Sequence, residues 1–158
     1  MKDTYTRLAD TISSHEGKGY ITIEGKTREL FELSKLTAQI DLTVTAKRML
    51  GNRMTQHKVT GAEGTGNMTL YFANSQIFKQ ALQYLKDGTY TGITIQVYNE
   101  DAQSTVGRQE VVLGNVILAT IPVATLDDES DDPITFDTDF TFDAIEALQT
   151  FELPENYR

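Results

Sequence analysis

His15 and His57 are the only imidazoles in the chain, and cysteine is absent. A histidine acts as a general base or metal ligand only with a suitable partner held beside it. His15 stands in a polar stretch and His57 stands among cations, which oppose both metal binding and a charged imidazole. No serine sits in a nucleophile elbow, and no thiolate is available to attack or to ligate. Asp127-Asp128-Glu129-Ser130-Asp131-Asp132 has the acidity of a calcium loop but not its geometry. The sixth position holds Asp132 where a glycine must turn the chain, and the twelfth holds Thr138 where a bidentate glutamate belongs. Gly61-Ala62-Glu63-Gly64-Thr65-Gly66 lacks the Gly-Lys-Ser/Thr ending of a phosphate-binding loop and runs into a strand pattern, not a helix. Asn67-Met68-Thr69 matches a glycosylation triplet, which is uninformative without a secretion signal. The inventory points to no catalytic residue, no cofactor and no metal.

Charge is distributed unevenly. Residues 109–158 hold one cation against twelve acids, a net −11, whereas residues 1–108 carry +2. From Leu42 to Ala62 there are four cations, Lys47, Arg48, Arg53 and Lys58, and no acid. One surface of such a chain repels nucleic acid and another attracts an acidic partner. No run approaches the ~18 apolar residues of a membrane span. The polar N-terminus offers no secretion signal, and the lack of cysteine fits synthesis in a cytoplasm.

These charges need a scaffold, and the hydrophobic pattern supplies one. Residues 1–18 are polar and aperiodic and read as a mobile arm. Gly19 to Ile23 reads as a strand turning at Gly25, with Glu29 to Ser34 as its partner and Phe31 and Leu33 on one face. Leu36, Ala38, Ile40, Leu42, Val44 and Ala46 alternate with polar residues, which predicts a long strand with one buried and one wet face. The pattern stops at residues 47–67, which read as a basic, glycine-punctuated loop, and resumes at Met68, Leu70 and Phe72. Asn74 or Ser75 can cap a helix from Gln76 to Lys86 whose stripe is Ile77, Phe78, Ala81, Leu82 and Leu85, with Gly88 as its stop. Strands follow at Ile93–Val97, Gln109–Leu113 and Val116–Ile121, with a bulge near Gly114-Asn115, and then at Ile134–Phe142. That last strand alternates phenylalanines with Asp137, Asp139 and Asp143. Ala144 to Leu153 reads as a helical turn before Pro154. The fold class is mainly β with one packed α-helix, as an antiparallel β-barrel or sandwich over residues 19–153 with a short tail at 154–158.

Arg53-Met54, His57-Lys58, Gly61 and Gly64-Thr65-Gly66, running into Met68-Thr69-Leu70-Tyr71, resemble the central signature of contractile-tail tube proteins. That branch spans tailed phages, defective-prophage particles and phage-tail-like bacteriocins. Glu16-Gly17 with Gly19 to Gly25, and the order loop, strand, helix, strand, acidic end, also fit. The resemblance implies a structural subunit that forms hexameric rings stacked into a tube, its sheets joined between subunits around a lumen. The implied partners are further copies of itself, the tail sheath protein, and baseplate and tail-terminator proteins. DNA would pass through non-specifically if at all, and the product would reside in a virion tail or phage-tail-like particle.

Stacking is a head-to-tail contact that needs two complementary patches. Lys47, Arg48, Arg53, His57 and Lys58 are expected on one side of it, and Asp127, Asp128, Glu129, Asp131 and Asp132 on the other. Asp41, Thr43, Asp137 and Asp139 are expected to line the lumen, where like charge keeps DNA from adhering. Two rival readings are a β-sandwich binding module and a secretion-system tube component. Absence of Trp weighs against a sugar-binding platform.

Overall fold

In the computed structural model, residues 5–13, 15–30, 32–129 and 131–158 are described. The expected partner residue Phe31 and the expected loop residue Ser130 lie outside them, as does the start of the arm, residues 1–4. Eight strands and one helix follow in order: β1 Lys18–Ile23, β2 Lys26–Glu29, β3 Leu33–Lys47, β4 Gln56–Tyr71, α1 Gln76–Asp87, β5 Ile93–Glu100, β6 Arg108–Leu118, β7 Thr135–Phe142 and β8 Ala144–Gln149. All pairings are antiparallel, in the order β2-β1-β5-β6-β7-β4-β3, with β8 added to β6. β6 belongs to both layers of a sandwich. Its first part pairs with β5 and β8, and its end, at Ile117 and Leu118, pairs with β7.

The sheet does not close, and β2, β3 and β8 are left as edges. Between the layers lie Ile21, Ile23, Ile93, Ile95, Leu113 and Val116 from one side, and Met68, Leu70, Phe140 and Phe142 from the other. Burial of these side chains drives the fold. The bulge expected near Gly114-Asn115 is present. Ile93 pairs with Val116 and Ile95 with Leu113, so β6 carries one extra residue there, and Asn115 takes a positive φ of 51°.

The helix spans Gln76–Asp87, and Gly88 ends it in the left-handed region at φ 77°, donating its N–H to the Tyr84 carbonyl. Asn74 Oδ1 accepts from the Gln76 amide at 2.7 Å, whereas Ser75 makes no side-chain cap. Arg28 of β2 fastens the sheet to this helix. It donates to both Glu32 carboxylate oxygens at 2.9 and 3.1 Å and to Gln76 Oε1 at 2.9 Å. Of the expected stripe only Ile77 is buried, and Leu82 and Leu85 face outward.

Several expectations are corrected. The partner of β1 is Lys26–Glu29, because Glu24 and Gly25 both take positive φ and make a two-residue turn. The loop expected at 47–67 is a strand from Gln56 onward, so the turn between β3 and β4 is only 48–55. The expected helical turn at Ala144–Leu153 is strand β8, its propensity overridden by pairing along β6.

The N-terminal segment is also not free where it is described. Asp10 is buried and accepts from the Thr105 hydroxyl at 2.6 Å, the Thr105 amide at 3.0 Å and Arg7 Nε at 3.1 Å. The same Thr105 hydroxyl accepts from the Glu155 amide, and Arg158 donates to the Thr105 carbonyl. Asp10 on one side and Glu155 with Arg158 on the other are therefore clasped to the 101–107 loop. The Thr105 hydroxyl first, then its amide and Arg7, hold the Asp10 carboxyl below its ordinary value of 3.8. That contribution to stability is present above the ordinary value and is lost as pH falls through the lowered one.

Candidate functional site

The β3–β4 hairpin is where the sequence signature and the structure's most unusual surface coincide. Every residue from Thr37 to Glu63 is exposed, on both sides of the ribbon. The pairing of β4 with β7 ends at Gly64, opposite Ile40, so at ~3.3 Å per residue the last seven residues of β3 carry the ribbon roughly 23 Å beyond the two-layered body. The expectation of one buried face on this strand therefore fails within a single copy. Ile40, Leu42, Val44 and Val59 are 48–58% exposed. The sequence pattern was right about the two faces, but the apolar one is covered only at its start, where Leu36 packs against the core.

Register assigns every side chain to a face. Leu36 pairs with Met68, Ala38 with Gly66 and Ile40 with Gly64, and Gly66 and Gly64 pair in turn with Phe140 and Phe142 of β7. A Cβ on Gly64 would lie 2.4 Å from the Phe142 ring. On Gly66 it would lie 2.4 Å from both the Phe140 ring and the Thr37 carbonyl oxygen. The two glycines are seats for two phenylalanine rings, which explains their spacing of two without any phosphate to cradle. Sequence reasoning missed this role. Its signal was the matching Gly-x-Gly and Phe-x-Phe spacings, which become informative once β4 and β7 are known to pair.

The opposite face is polar and continuous across three strands. Lys35, Thr37, Gln39, Asp41 and Thr43 of β3 pair with Thr69, Asn67, Thr65, Glu63 and Gly61 of β4. Thr69, Asn67 and Thr65 pair with Asp137, Asp139 and Thr141 of β7. The four residues expected to line a lumen, Asp41, Thr43, Asp137 and Asp139, thus share one face of one sheet. The face is threaded by hydroxyl–carboxylate bonds: Thr69 Oγ1 donates to Asp137 at 2.6 Å and Thr65 Oγ1 to Asp41 at 3.0 Å. Asp41 stands directly across from Glu63, a like-charge pair that weakens the ribbon.

The cations gather at the far end of the hairpin. Lys47 ends β3, Arg48 and Arg53 lie in the turn, and His57 and Lys58 begin β4. A bulge after Thr43, where Val44 pairs with Val59 in place of Thr60, separates this end from the rest of the ribbon. Lys58 pairs with Thr45 and Lys47 with Gln56 on the polar side, whereas His57 pairs with Ala46 on the apolar side. Among the described residues none of these four lysines and arginines makes an ion pair.

The acidic residues Asp127, Asp128, Glu129, Asp131 and Asp132 lie in the exposed, irregular segment between β6 and β7. Asp127 Oδ1 accepts from the Glu129 amide at 3.1 Å. Among the described residues no ion pair joins this segment to the hairpin's cations within one copy. Among the described residues no group of three or more His, Cys, Asp or Glu side chains is placed to hold a metal ion.

A family model described as phage tail tube protein matches residues 4–149. Two relatives from Bacillus subtilis (strain 168) align over nearly the whole chain. The uncharacterized protein YqbM is 31% identical over 152 residues, 96% of each chain. The phage-like element PBSX protein XkdM is 30% identical over 149 residues, 94% of each. Among solved structures, the sheath-tube complex of the PVC extracellular contractile injection system in its extended state contains a chain superposing with a TM-score of 0.67 at 10% identity, covering 90% of this chain and 94% of that one. A chain in the anti-feeding prophage baseplate gives a TM-score of 0.65 at 14% identity, covering 87% and 95%.

Proposed function

The chain belongs to the phage tail tube protein family, and on that premise we propose that it builds the inner tube of a contractile particle as stacked hexameric rings. The observation that carries this reading is the ribbon from Thr37 to Glu63, two-faced in sequence and exposed on both faces in a single copy. Together with the uncovered edges of β2, β3 and β8, it describes a subunit that finishes its packing on other copies. The polar face bearing Asp41, Thr43, Asp137 and Asp139 then lines the lumen, and its carboxylates repel the phosphates of any DNA that passes. The role is structural and assigns catalysis to no residue.

Rings stack through unlike surfaces. Lys47, Arg48, Arg53 and Lys58 at the hairpin's end, with His57 beside them, meet Asp127, Asp128, Glu129, Asp131 and Asp132 of a copy in the next ring. Sheath, baseplate and terminator proteins are the further partners, as the relatives' sheath-tube and baseplate assemblies suggest, and the tail particle is the place of residence. Electron microscopy of concentrated protein should show hollow rods. The double charge reversal Arg53→Glu/Lys58→Glu should reduce rods to rings or smaller species without changing the melting of the single copy. Rods of normal length from that variant would remove the stacking contact, and discrete monomers from the unaltered chain would remove the tube.

A further inference from the structure

Within the stretch expected to be a mobile arm, Asp10 is tied to a residue 95 positions away. Residues 5–13 and 150–158 lie outside the strands, and each segment reaches the 101–107 loop between β5 and β6. From the first segment, Asp10 accepts the hydroxyl and amide of Thr105 on Oδ1 and Arg7 on Oδ2. The Asp10 carbonyl accepts from Ser104 Oγ at 3.0 Å, and the Ser13 amide donates to Asp101 at 3.1 Å. From the second, the Glu152 amide donates to the Val106 carbonyl at 2.8 Å and the Glu155 amide to the Thr105 hydroxyl at 3.0 Å. Arg158 donates to the Thr105 carbonyl and pairs with Glu152 at 3.2 Å.

Two features set these segments apart from the body. No hydrophobic side chain of either is buried: Tyr5, Leu8, Leu153 and Tyr157 are exposed, and Asp10 is their one buried residue among those described. Polar bonds hold the segments in place, so lifting them away opens none of the core. The second feature is that they share a partner and touch each other. Thr105 gives its hydroxyl hydrogen to Asp10 and receives the Glu155 amide on the same oxygen. Asn156 Nδ2 donates to the Tyr5 carbonyl at 3.2 Å, and Arg7 lies 3.8 Å from the Glu155 carboxylate. Fixing the loop costs conformational entropy, and once one segment has fixed it the other docks at a smaller cost.

We propose that residues 5–13 and 150–158 form a two-strap latch on the 101–107 loop, keyed by Asp10 and the Thr105 hydroxyl, whose straps open and close together. The latch belongs to the single copy and is independent of the tube reading.

Limited trypsin digestion of the full chain, followed by mass spectrometry, reads the first strap through cleavage after Arg7. Cleavage there follows the population in which the strap is open. Thr105→Val, which keeps the shape and removes the hydroxyl, should raise the rate about ten-fold or more, and Thr105→Ser should restore it. Arg158→Ala, a change in the other strap, should also raise it several-fold. Conversely, Asp10→Asn should speed hydrogen exchange at the Glu155 amide several-fold. Cleavage after Arg28, on β2, should stay unchanged throughout, which separates opening of the latch from unfolding of the body. If Thr105→Val fails to fold, the Arg158 and Asp10 variants decide. An unaltered rate after Arg7 in Arg158→Ala, or unaltered exchange at Glu155 in Asp10→Asn, overturns the joint opening. Rapid cleavage after Arg7 in the unaltered chain overturns the latch itself.

Discussion

β3 and β4 run side by side along one ribbon, yet its two halves occupy different environments. Near the body, Met68 and Leu70 are flanked by β7 in their own sheet and sealed by the facing layer, and Leu70 is 0% exposed. Past Ile40 the same alternation of apolar and polar residues continues while Leu42 is 58% exposed. An alternating pattern records that a strand separates two environments. It does not record whether the dry one is made by the same chain. In a subunit that assembles, part of the core is divided between copies.

The largest expected contrast lies between Leu70→Ala and Leu42→Ala. The first should destabilise the single copy by about 3 kcal/mol, through a cavity in a sealed site. The second should stay within about 0.5 kcal/mol, because its side chain is mostly exposed in one copy. Urea unfolding of the monomer measures both, and a comparable loss at Leu42 would mean the ribbon is already covered.

A smaller effect distinguishes the two glycine seats. Gly66→Ala meets the backbone carbonyl of Thr37 as well as the Phe140 ring, so about 1–3 kcal/mol should be lost. For Gly64→Ala the three nearest atoms all belong to the Phe142 ring, which borders the open cleft between β3 and Ile145, and none is backbone, so its loss should be less. Equal losses would show that the cleft side is as rigid as the core.

The smallest effect concerns the exposed half. Glu63→Gln relieves the repulsion from Asp41 directly opposite and should raise the melting stability of the monomer by a few tenths of a kcal/mol. A decrease would mean that the carboxylate has a favourable partner on the ribbon.

Much of this arrangement was legible in the residues. The period-two runs at Leu36–Ala46 and Ile134–Phe142 gave two strands and their faces, and Gly88 marked the helix end. The bulge at Gly114-Asn115 was legible because asparagine tolerates the left-handed backbone that Asn115 adopts there. The stretch from Gln56 to Asn67 was not. Glycine has low strand propensity, and the rings that make Gly64 and Gly66 favourable lie some 75 residues away on β7. Residues 144–149 misled for the same reason, since Ala, Glu, Leu and Gln favour helix until β6 offers them a pairing edge.

By itself the sequence determined which residues could share a face, because side-chain direction along a strand follows from local geometry. It also determined the segregation of charge and the absence of thiol chemistry. The tertiary structure alone decided which faces were covered. Burial depends on what lies opposite, and pairing partners distant in the chain place phenylalanines on the glycines but leave Leu42, Val44 and the cleft beside Ile145 open to water.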